Sequence, residues 1–128
     1  MLQPEDEKEV QVLQQDQERI NLFSKLTSKI VLLEEEFSKL KEEKEYVDEL
    51  LDELELADED EPVNLKIGDS FVEMPLSDAQ DRLQKEQAVL ADKVKASGEL
   101  IDSTNSKMTE LKGALYAKFG NTIHLEKD

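Results

Sequence analysis

The sequence predicts a mainly α fold: a long antiparallel two-helix coiled coil joined by a single β-hairpin that pairs with other subunits. Three observations predict it. Phe23, Leu26, Ile30, Leu33, Phe37, Leu40, Val47, Leu51 and Leu54 recur at 3–4 spacing, interrupted once by Lys44. Leu76, Leu83, Leu90, Val94, Ile101, Met108, Leu111 and Leu115 form a second such run, with Gln80, Gln87, Ser97 and Thr104 in its remaining positions. Such spacing keeps one narrow apolar stripe on each helix, which suits a two-stranded coil. Between the runs, residues 63–74 read as strand, tight turn, strand.

Each element has local reasons. Residues 1–15 are polar and acidic without a sustained helical period, so a flexible N-terminal tail is expected. Pro4 followed by three acidic residues also suits the first turn of a helix. The first helix is expected over 16–57. Asp58-Glu59-Asp60-Glu61 places four negative charges at the negative end of its dipole, and Pro62 forbids continuation. The same acidic run fails as a calcium loop, because Pro62 and Val63 replace a ligand and the turn glycine. Linker and hairpin occupy 58–76, with Gly68-Asp69 as a two-residue turn. With that loop, Ile67 faces Ser70, Leu65 faces Val72 and Val63 faces Met74, leaving Asn64, Lys66, Phe71 and Glu73 on the other side. The second helix is expected over 77–119, with Ser77 as N-cap, Gln80 completing a capping box and Gly120 just past the end. A C-terminal tail follows over 120–128. Ser97 and Gly98 inside this helix either admit a bulky neighbour or mark a weak point.

Composition narrows the function. The chain has 128 residues, one domain's worth, and a formal net charge of −16. That charge argues against nucleic acid, whose phosphates need clustered Lys and Arg. With no Cys, disulfides, thiol catalysis and Cys-based zinc sites are excluded. The four Gly are isolated, so no phosphate loop exists, and the lone His124 sits near the C-terminus without partner ligands. No catalysis, cofactor or metal is therefore expected. The opening residues lack a secretory leader's basic and apolar regions, and no apolar run is long enough to span a membrane. A cytoplasmic location fits.

Because the hairpin reverses the chain, the helices should run antiparallel. One register sets Val47 against Val94, Leu51 against Leu90 and Lys44 against Ser97; a shift of one heptad also fits. Far from the hairpin, Ile20, Leu22 and Phe119 spread beyond the seam, near Phe23, Leu115 and Tyr116, and Ile123 and Leu125 follow. So wide a stripe should remain partly exposed. An isolated two-stranded ribbon is marginal in water and its edges invite pairing, so other chains should complete the sheet.

Three stretches carry a family likeness: residues 16–23 (DQERINLF), residues 58–62 (DEDEP) with 67–72 (IGDSFV), and residues 115–126 (LYAKFGNTIHLE). In these and in its single hairpin the chain resembles the β-type subunits of prefoldin. The resemblance implies a hetero-hexamer with two α-type and three further β-type subunits, whose hairpins join into a platform bearing coiled-coil arms. It implies a holdase that uses no ATP, binds non-native actin and tubulin at the arm tips, and delivers them to the cytosolic group II chaperonin. Val63, Leu65, Ile67, Phe71, Val72 and Met74 would then serve assembly. Ile20, Leu22, Phe23, Leu115, Tyr116 and Phe119 would face clients. A coiled-coil tether in another complex, or an acidic chaperone for basic proteins, are the alternatives.

Overall fold

The computed structural model describes the backbone of residues 4–119 and the side chains of residues 14–117. The order is helix α1 (Pro4–Glu55), strand β1 (Val63–Ile67), strand β2 (Ser70–Met74) and helix α2 (Leu76–Phe119). The expected fold class is observed. The helix ends differ from expectation in ways that local chemistry explains.

Helix α1 begins at Pro4 instead of near residue 16, so most of the stretch expected as a tail is helical. Proline is preorganised for a first helical position, and Glu5, Asp6 and Glu7 suit the positive end of the dipole. No Gly or Pro interrupts the helix from there to Glu55. Its end tightens: Leu56 N–H donates to Glu53 O at 3.2 Å and Ala57 N–H to Leu54 O at 3.2 Å. The last turn carries no basic residue to offset the dipole. Asp58 then organises the exit. Its carboxylate accepts the Asp60 N–H at 3.0 Å and its carbonyl accepts the Glu61 N–H at 3.2 Å.

Helix α2 starts one residue before the expected N-cap. The Pro75 carbonyl accepts the Ala79 N–H at 3.1 Å, which makes Pro75 the cap and places Ser77 inside the first turn. No capping box forms. Gln80 instead turns to the other helix, its Nε2 donating to the Leu54 carbonyl at 3.5 Å. That carbonyl belongs to the last turn of α1 and already accepts the Ala57 N–H, so Gln80 gives its second lone pair a donor. The Gly120 cap and the tail beyond it lie outside the described residues.

The chain divides into two compact units, residues 36–98 and residues 1–35 with 99–128. In the first, β1 and β2 pair antiparallel as expected, with Val63 opposite Met74, Leu65 opposite Val72 and Ile67 opposite Ser70. Gly68 opens the turn at φ 62°, a left-handed conformation that other residues resist. Val47, Leu65, Leu83 and Leu90 form the buried core, joined by Leu40, Leu50, Leu51, Leu54 and Met74.

The helix register in this unit is the alternative one, a heptad away from the Lys44–Ser97 alignment. The Phe37 ring lies beside Gly98, Gln87 Nε2 donates to the Asp48 carboxylate, and Gln80 reaches Leu54. Matching one polar interruption with another would not satisfy this pattern. The observed register puts a large ring over a small residue and gives the seam amide of Gln87 a carboxylate acceptor.

The second unit has its own core of Phe23, Ile30, Met108 and Leu115, flanked by Ile20, Leu26, Leu33, Ile101, Leu111 and Tyr116. Two buried threonines are satisfied by their own helices. Thr27 Oγ1 donates to Phe23 O at 2.9 Å, and Thr104 Oγ1 to Leu100 O at 2.8 Å. Back-bonding to the carbonyl four residues earlier lets a hydroxyl occupy a coil interior without a partner on the facing helix.

Candidate functional site

Residues 36–98 present an asymmetric hairpin. Leu65 is buried against the helices and Met74 packs on the same cluster, so one side of the ribbon is anchored within the chain. Of the face of Val63, Leu65, Ile67, Val72 and Met74 expected to serve assembly, Leu65 and Met74 thus meet the chain's own helices. Leucine and methionine at those two positions find enough apolar area on Val47, Leu83 and Leu90 to leave water. Val63 and Ile67 are half-buried. Val72 stays 41% exposed, and Phe71 on the opposite side of the ribbon stays 70% exposed, with Lys66 as its cross-strand neighbour.

Among the described residues the sheet has two strands, so each strand keeps one unpaired edge. Unpaired N–H and C=O groups on a ribbon that also exposes a phenylalanine form a template for a further strand. Such an edge is chemically suited to joining chains and offers nothing to catalysis.

The residues expected to face clients divide sharply. Phe23 and Leu115 are 3% and 1% exposed and belong to the core of their unit, so neither presents a surface. Their aromatic and branched side chains fill the seam that the heptad spacing gave them. Ile20 and Tyr116 are half-buried against that core, while Leu22 is 46% exposed. The side chain of Phe119 lies outside the described residues, as do Ile123 and Leu125. Leu32, 65% exposed in the same unit, was not anticipated. Its signal was present in the run Ile30-Val31-Leu32-Leu33, because a coil seam can take only two of four consecutive apolar residues.

One titrating group is tuned. The Asp48 carboxyl is held below its ordinary value, first by the Gln87 amide and then by Lys44, whose Nζ lies 3.0 Å from Oδ2. Among the described residues no group of three or more His, Asp or Glu is placed to hold a metal, and no helix is long and apolar enough to cross a membrane.

Two helices returning on one open-edged hairpin define a subunit built to join others. Residues 17–122 match the model of the prefoldin subunit family. Prefoldin subunit 4 of Saccharomyces cerevisiae is 42% identical over 91% of this chain and 91% of that protein. Prefoldin subunit 4 of Homo sapiens is 33% identical over 94% of this chain and 90% of that protein. The crystal structure of the prefoldin beta subunit from Thermococcus strain KS-1 superposes with a TM-score of 0.75, covering 83% of this chain and 93% of that one, at 20% identity. The chain belongs to the prefoldin family, and membership makes it a subunit of a chaperone complex.

Proposed function

We propose that this chain is one of four β-type subunits of a cytoplasmic hetero-hexamer with two α-type subunits, and that the complex is an ATP-independent holdase. It binds non-native proteins such as actin and tubulin and passes them to the group II chaperonin. The chain catalyses no reaction itself. The observation that carries the reading is the hairpin: anchored on one side through Leu65 and Met74, it keeps Phe71, Val72 and both strand edges available. Neighbouring hairpins satisfy those edges, and the helices are left to hold clients.

The client-binding part of the reading draws on Leu22 and the half-buried Ile20 and Tyr116 in residues 1–35 with 99–128. Small apolar patches on separate charged arms resist self-association, while several weak contacts to one client add through effective concentration. The test is co-expression with other prefoldin subunits, native mass measurement, and an assay of aggregation of denatured actin. A hexamer that delays aggregation without nucleotide is expected. Absence of this chain from any such assembly would sink the reading.

A further inference from the structure

Helix α1 carries a second stripe that its coil does not use. Leu22, Lys25, Lys29 and Leu32 follow one another at 3–4–3 spacing. At 100° per residue they fall within an arc of about 80° and span roughly 15 Å. All four are exposed, Leu22 by 46% and Leu32 by 65%. Neither lysine forms an ion pair among the described residues.

The surrounding charge makes this unusual. Acidic residues number 32 in 128, one in four, yet residues 19–33 contain none and hold Arg19, Lys25 and Lys29. Glu18 and Glu34 close the stretch on either side. Two leucines thus bracket two lysines on one face, in one of the two fifteen-residue stretches of a strongly acidic chain that hold no carboxylate side chain, the other being residues 111–125.

Resting on the holdase reading, we infer that this stripe binds client segments in which apolar side chains bracket acidic ones. The leucines supply apolar contact and the lysines meet the carboxylates. Charge complementarity selects the occupant. Two lysines are too few to hold an extended anionic surface such as a membrane or nucleic acid against a net charge of −16. They are enough to bias a short peptide whose apolar contacts are already made.

The probe is a labelled fifteen-residue peptide with two Leu bracketing two Glu at the same spacing, compared with its Gln counterpart. Anisotropy is read with the full-length chain. The acidic peptide should bind about tenfold tighter than the neutral one at low salt, and the difference should shrink as salt rises. Lys25→Gln with Lys29→Gln should erase the preference and keep the neutral peptide's affinity. Leu22→Ser with Leu32→Ser should weaken both peptides, with helix content by circular dichroism unchanged. Equal binding of the two peptides, no binding of either, or lysine variants that alter only self-association would overturn the inference. A complex that still protects denatured actin under those outcomes leaves the holdase reading standing; one that never protects removes that reading instead.

Discussion

A β-carbon placed on Gly98 would lie 3.6 Å from the Phe37 ring, ordinary van der Waals contact. Glycine is therefore not required there by space, and it costs the helix backbone entropy. Gly98→Ala should raise stability by up to about 1 kcal/mol. Gly98→Leu should lower it by about 1–3 kcal/mol, because the ring would have to move. Thermal unfolding of the two variants beside the parent checks both signs. Destabilisation by alanine would mean the ring packs closer than observed.

The same pair fixes the register. The chain has no cysteine of its own, so cysteines can be introduced in pairs without background. Asp48→Cys with Gln87→Cys should be bridged readily by a short thiol crosslinker, since these side chains are hydrogen-bonded. Lys44→Cys with Ser97→Cys should not, because a heptad offset separates them by about 10 Å along the helix. Preferential bridging of the second pair would show the other register.

Much of this arrangement was legible in the residues. Hairpin register followed from Gly68-Asp69, because a two-residue loop leaves one pairing consistent with the side-chain alternation. Helix register did not, because sliding one heptad preserves almost every apolar match and only Gln87, Asp48 and Phe37 discriminate. Ser77-Asp78-Ala79-Gln80 has the spacing of a capping box, but Pro75 competes as the cap and Gln80 donates instead to the Leu54 carbonyl, which also accepts the Ala57 N–H. Phe23 and Leu115 illustrate a different limit: heptad position correctly placed them at the seam, which is the reason they cannot also be surface.

Asp48 gives the fold a titratable contact. Its pKa is lowered in the folded chain, so its contribution to stability is present above the ordinary value of 3.8 and fades as pH falls through the depressed one. Gln87→Leu removes the principal cause. The variant should lose less stability between pH 5 and pH 2 than the parent does. Chemical denaturation across that range is the measurement, and parallel pH profiles would show that Asp48 does not gain from Gln87.

Phe23 and Leu115 should behave as core and Leu22 as surface. Either core residue changed to alanine should cost about 2–5 kcal/mol, while Leu22→Ser should stay within about 0.5 kcal/mol. In aggregation assays of the assembled complex, Leu22→Ser should still reduce protection of denatured actin. A stable Leu115→Ala variant would contradict its burial at 1% exposure.

The two sides of the hairpin should separate folding from assembly. Leu65 is buried on its own helices, so Leu65→Ala should cost about 2–5 kcal/mol in the isolated chain. Phe71 is 70% exposed, so Phe71→Ser should leave isolated stability nearly unchanged. Its cost should appear only when other prefoldin subunits are present, as loss of co-purification, because a large aromatic is then withdrawn from an interface. Native mass spectrometry after co-expression distinguishes the cases. If Phe71→Ser assembles as well as the parent, the strand edges alone carry the joint; if it unfolds the isolated chain, the ribbon leans on that ring from within.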